Sequence, residues 1–176
     1  MTEIEILKYL VDRVNIDFST GHIFWKPKLG CDSESIRWNK IHALKIAGGT
    51  GSDKIYRRIQ TIINGKKFHV RCHRLIWFAA NKSEMPEMID HINGNGLDNR
   101  LSNLRPADKR LNSENQRKAR SDNGCGVLGV RPHGNKYRAV IKSKGKRYHL
   151  GLFFTAEEAH EAYVQAKRQI HAGGTL

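Results

Sequence analysis

The stretch Ile89-Asp90-His91-Ile92-Asn93-Gly94-Asn95-Gly96-Leu97-Asp98-Asn99-Arg100-Leu101-Ser102-Asn103-Leu104-Arg105, with Asn112 beyond it, decides how the chain reads. Gly94, Gly96, Asp98 and Asn99 are loop residues, so Asp90-His91 falls at the end of a strand that runs into a loop. Neighbouring strand residues point to opposite faces, which keeps Asp90 and His91 from doing the same job side by side. Pro106 fits the first turn of a following helix, and Asn112 would lie on that helix. Each piece alone has a plain reading. A histidine after an aspartate is commonly a capped or surface side chain, and Asn and Gly usually mean only a turn. The ordered string is the specific feature.

These residue types would suit phosphodiester hydrolysis, which needs a deprotonated water, a cation on the phosphate and help for the departing oxygen. Histidine is the usual proton acceptor near neutral pH. Asp90 and Asn112 offer oxygen ligands, which suit a hard cation such as Mg²⁺. The string resembles the core of the HNH endonucleases, a form of the ββα-metal nuclease site. Asp90-His91 matches that family's Asp-His pair, Asn103 its middle Asn, and Asn112 its third position, where phage members carry Asn in place of His. The resemblance implies His91 as the base and Asn103 as the residue orienting its loop. It also implies Asp90 and Asn112 as ligands to one divalent ion, Mg²⁺ with Mn²⁺ able to substitute. Residues 1–116 follow the phage-type order: helix, Thr20-Gly21-His22-Ile23-Phe24-Trp25 hairpin, second hairpin, His73-Arg74-Leu75 helix, then Asp-His.

Working outward, Thr2 and Glu5 form a capping box ahead of Ile4, Leu7, Leu10, Val11 and Val14 at helical spacing, a helix to about Val14. Asp17–Gly21 reads as a turn and 22–25 as a strand. Residues 31–45 show no clear period. Gly48-Gly49-Thr50-Gly51-Ser52 lacks the lysine of a phosphate-binding loop and reads as a turn. Strands at 55–63 and 66–70 flank Asn64-Gly65, a strong hairpin signal. Residues 73–80 read as a mostly buried helix. His73 is a tempting second base or ligand, although a packed or DNA-facing histidine is the plainer reading.

Residues 117–126 are Arg, Lys, Ser, Asp, Asn and Gly in the main and read as a basic linker. Strands then follow at 127–131, 136–142 and 146–152, and a helix from the Thr155 cap to about His171 with Ala159, Ala162, Tyr163, Ala166 and Ile170 as its apolar stripe. Residues 127–150 hold seven Lys or Arg and no acid. Tyr137, Ala139 and Ile141 share one face of the middle strand. In the last strand Tyr148, Leu150 and Leu152 oppose Arg147 and His149. One face can pack on the helix while the other stays basic, and the major groove admits strands. This segment resembles the APETALA/ethylene-response DNA-binding domain through Gly129-Val130-Arg131, Lys136-Tyr137, Leu150-Gly151-Leu152-Phe153, Thr155-Ala156-Glu157-Glu158-Ala159 and Ala162-Tyr163. The resemblance implies DNA-facing roles for Arg131, Val140, Lys142, Arg147 and His149, and Arg138 joins them on the basic face. Val140 and His149 stand where that family commonly has an acid and Trp, so no base preference carries over.

The expected architecture is therefore α+β. An HNH domain spans 1–116, with its ββα-metal core about 86–116, followed by the 117–126 linker and a three-stranded antiparallel sheet plus one helix at 127–176. A net charge of +14 over 176 residues favours a polyanion, here double-stranded DNA. No apolar run spans a bilayer and no leader pattern opens the chain, so the expectation is a cytoplasmic protein with no membrane partner and no small-molecule cofactor; a monomer fits this reading, but the oligomeric state is left open. Cys31, Cys72 and Cys125 make no CxxC pair, against a zinc ribbon. RNA binding is weaker, because the stacking motifs of RNA modules are absent. The rival is a non-cleaving DNA-binding regulator on a decayed nuclease fold.

Overall fold

The computed structural model describes residues 1–52, 54–82 and 85–171, so residues 172–176 of the expected C-terminal module lie outside the described residues. It is a mixed α and β structure of small antiparallel sheets and helices, divided into two compact units, Met1–Pro106 and Ala107–Leu176.

The first unit opens with α1 (Glu3–Val11), closed at its start by the Thr2–Glu5 capping box. Ile6, Leu7 and Leu10 are buried. The helix stops at the Asp12 cap, short of the expected Val14. Val14 suits a helical period and also alternates with Ile16; the alternation wins, and β1 (Val14–Asp17) pairs antiparallel with β2 (His22–Trp25). Asp17 Oδ1 accepts from the amides of Ser19 at 2.9 Å and Thr20 at 3.2 Å, closing the turn between them.

The stretch with no clear period is α2 (Ser33–His42), capped by Asp32. It buries only Ser35, so it has no apolar stripe to read. The next sheet has the order β3-β4-β5. β3 (Gly49–Thr50) is a two-residue edge inside the glycine-rich segment, and β4 (Arg57–Ile63) and β5 (Lys66–Arg71) form the hairpin. Asn64 and Gly65 both have positive φ, as a type I′ turn requires. α3 (Cys72–Asn81) follows and buries Cys72, His73, Leu75 and Ile76. β6 (Met88–His91) and β7 (Leu104–Ala107) form a two-stranded sheet around the loop that carries the motif. One apolar core joins α1, the hairpins, α3, Ile89 and Leu104.

Pro106 sits in β7, not in a helix. α4 (Lys109–Glu114) begins later because Asp108 is its cap, accepting from the Leu111 amide at 2.6 Å.

The second unit continues with β8 (Val130–His133), β9 (Lys136–Ser143), β10 (Lys146–Phe153) and α5 (Ala156–Ile170), with sheet order β10-β9-β8. β8 starts three residues later than the expected Val127. Gly129 turns the chain with φ +78, and a Cβ there would lie 2.1 Å from the Tyr163 ring, so the backbone presses directly on α5. A bulge between His149 and Gly151 corrects the expected faces of β10. Beyond it Gly151 pairs with Ala139, Leu152 with Arg138 and Phe153 with Tyr137. Leu152 thus joins the basic face, and Phe153 turns inward.

The α5 stripe also differs from its expectation. Ala159, Tyr163 and Lys167 are buried, whereas Ile170 is 40% exposed. Residues 117–126 fold with the second unit instead of standing off as a linker. Lys167 Nζ donates to the Gln116 carbonyl, and Asn123 Nδ2 donates to the carbonyls of Val127 at 2.9 Å and Val130 at 3.1 Å.

Candidate active site and basic sheet face

His91 ends β6 and is 4% exposed. Its Nε2 donates to Asn99 Oδ1 at 3.1 Å, which selects the tautomer with the imidazole lone pair on Nδ1. Burial, the largest influence, pushes the His91 pKa below its ordinary value; the Asn99 bond and the Asp90 and Asp98 carboxylates pull the other way. The ring stands among aromatic neighbours. His73 meets it edge-on at 4.9 Å between centroids, and Tyr56 lies at 5.8 Å. His73 is itself 3% exposed, and burial, followed by the charges of His91, Arg71 and Arg74, pushes its pKa down to about 3. Histidine 73 is therefore a packed neutral ring against His91.

The loop after His91 is tied by Asn103. Its Oδ1 accepts from the Asn93 amide at 2.9 Å, and its Nδ2 donates to Asn93 Oδ1 at 3.0 Å and to the Asp98 carbonyl at 2.8 Å. The Ile92 amide also bonds the Asn103 carbonyl at 2.8 Å. Asp98 is clamped by Arg100, whose bonds hold the carboxyl down at about 2. From behind, the β1–β2 turn supports Asn99. A Cβ on Gly21, at φ +71, would lie 2.3 Å from the Asn99 carbonyl carbon, and Leu101 N bonds Phe18 O at 3.0 Å.

Asp90 is 6% exposed, and Arg105 grips its Oδ2 through Nε at 3.0 Å and Nη2 at 2.8 Å. The carboxylate is thus fixed in orientation by a charge-assisted pair. Asn112 lies half-buried on α4 and belongs to the second unit, whereas Asp90, His91 and Asn103 belong to the first. Among the described residues no group of three or more His, Cys, Asp or Glu is spaced to hold a metal ion. Within the first unit the donor at issue is the Asp90 carboxylate, a hard ligand that fits a hard divalent cation.

Sequence reasoning missed Asn99, Arg105 and Tyr56. Asn99 was visible only as a loop residue, and its bond to His91 comes from the loop's return path. Arg105 served only to mark the end of the motif, although a cation two positions past Asn103, on the strand beside Asp90, was a usable signal.

In the second unit the six residues expected on the DNA-facing side, Arg131, Arg138, Val140, Lys142, Arg147 and His149, share one face. Arg131 pairs with Arg138, Arg147 with Lys142 and His149 with Val140. Paired residues point the same way, so the face is continuous across the three strands. These residues line a cavity of about 580 Å³ together with Glu114, Gln116, Arg120, Asp122 and Asn123.

Residues 70–114 match the family model described as HNH endonuclease. The chain also aligns with one from a solved structure described as "DNA binding and cleavage by the HNH homing endonuclease I-HmuI", at 18% identity and a TM-score of 0.42, covering 92% of this chain and 88% of that one. No curated protein matches the chain. No helix among the described residues is long and apolar enough to cross a membrane.

Proposed function

We propose that the chain is a metal-dependent HNH endonuclease of the homing or mobile-element type, cutting double-stranded DNA and targeted by an APETALA-type module in its C-terminal part. The observation that carries this reading is the His91 Nε2–Asn99 Oδ1 bond of 3.1 Å within the segment matching the HNH model. With Nε2 donating to Asn99, Nδ1 is the nitrogen that would accept the proton in this reading.

In this mechanism His91 takes a proton from water as the water attacks phosphorus, and the bond to the leaving oxygen breaks. Asn103 holds the loop that fixes Asn99, and through Asn99 the imidazole. Asp90, oriented by Arg105, would hold the divalent ion, with Mg²⁺ the expected species. Such an ion supplies charge neutralisation at the phosphate and the leaving oxygen. Arg131, Arg138, Lys142, Arg147 and His149 supply affinity and register, phosphate contacts positioning the protein and base-edge contacts choosing the site.

The test is supercoiled plasmid incubated with the protein and Mg²⁺, with and without chelator. The reading expects nicked or linear product that the chelator abolishes. Binding with no product in either arm would support the non-cleaving regulator instead.

A further inference from the structure

The cavity on the basic face of the second unit contains an acid that the DNA-binding reading leaves unexplained. Glu114, the last residue of α4, is 5% exposed and lines the same cavity as Arg120, Arg131, Arg138, Lys142 and Arg147. Its ionic contact with Arg110 is long, Nη1 to Oε1 at 3.4 Å, and Arg110 is half exposed. Its Oε2 has no hydrogen-bond partner among the described residues, and neither do Arg138 Nε and His171 Nδ1. All three side chains line this one cavity.

A buried carboxylate with an unpartnered oxygen is costly unless nearby cations compensate it. The cations that line the cavity with it also crowd one another. Arg131 stands directly across from Arg138, and Arg147 across from Lys142, and like charges facing each other across strands are destabilising. The segment that bears Glu114 is also fastened to the unit, by Lys167 at Gln116 and by Asn123 at the carbonyls of Val127 and Val130.

We propose that Glu114 is an internal surrogate for a DNA phosphate. It holds the cationic sheet face together in the free protein, and duplex DNA must outcompete it for those cations. The inference rests on the reading of this face as the DNA-binding surface. It gives a single substitution two effects of opposite sign. Glu114→Gln keeps the shape and removes the charge, so the free protein loses a counter-charge while bound DNA loses a competitor.

The experiment uses the full chain in chelator, with binding to duplex DNA measured over a salt series and thermal unfolding measured without DNA. Glu114→Gln is compared with wild type and with Glu161→Gln, which makes the same charge change at an exposed position of α5. The expected result for Glu114→Gln is roughly three- to tenfold tighter binding, the scale of one phosphate contact, and a log–log salt slope steeper by about 0.9. Its Tm falls, and Glu161→Gln shows a smaller gain in affinity and no fall in Tm. Equal or weaker DNA binding by Glu114→Gln, beside normal binding by wild type, would overturn the inference alone. So would an equal gain in Glu161→Gln, or an unchanged Tm in Glu114→Gln. Absence of salt-sensitive binding by wild type would overturn the DNA-binding reading and the inference with it.

Discussion

Asn99 holds the proposed base through one hydrogen bond, and its own position is held by backbone contact with Gly21. Replacing it with Ala leaves His91 able to rotate and to exchange tautomers. Asn99→Ala is therefore expected to lower the single-turnover cleavage rate while DNA affinity stays near wild type. A variant that cuts at the parental rate would remove Asn99 from the account. Lys167 makes a second prediction at this scale. Burial, and then the charge of Arg117, lowers its pKa from 10.5 to about 8. Between those values the unfolded chain keeps a proton that the folded chain has released, so folding stability rises as pH climbs from 8 to 10.5 and the gain is lost as pH falls through 8. Chemical denaturation across that range should show wild type gaining on Lys167→Met. A constant difference between the two would contradict the assignment. At His91 and Asp90 residue type alone was enough to mark candidates, and both are buried at the end of β6. It was not enough at Asn99, Arg105 or Glu114, whose surroundings are made by chain segments that return from elsewhere in their own unit.

Elements formed where local signals agreed. The Thr2–Glu5 and Thr155–Glu158 boxes start α1 and α5, and Asn64-Gly65 closes the β4–β5 hairpin. They shifted where two signals competed: Asp108 starts α4 later than the first turn expected at Pro106, and Val14 joined a strand period in place of a helical one. The β10 bulge was unreadable because an extra residue leaves no mark in an alternating pattern; it reveals itself only through pairing with β9. α2, lacking an apolar stripe, gave no period at all. Gly129 gives the element-scale prediction. Gly129→Ala would drive a Cβ into the Tyr163 ring at a positive φ, with backbone strain of roughly 1–3 kcal/mol and overpacking on top of it. A lowered denaturation midpoint with weakened DNA binding is expected, and a midpoint equal to wild type would contradict the packing described.

For the molecule as a whole, the two-part character was readable from composition, but the boundary was not. Polar, basic residues 117–126 look like a linker because nothing in their composition reveals that Lys167 and the carbonyls of Val127 and Val130 anchor the segments around them. A fragment beginning at Ala107 is accordingly expected to bind duplex DNA in a salt-sensitive way without cutting it, and one beginning at Gly124 to be less stable in thermal unfolding. Equal stability of the two fragments would show that residues 107–123 add nothing to the unit. The proposed role of His91 is that of the base in a DNA-cutting site. It is tested most directly by single-turnover cleavage with His91→Ala in saturating Mg²⁺, with DNA affinity measured in parallel. The expected rate is lower by roughly 10²–10⁴, the contribution of a positioned proton acceptor, at unchanged affinity. Cleavage at the wild-type rate would contradict that role.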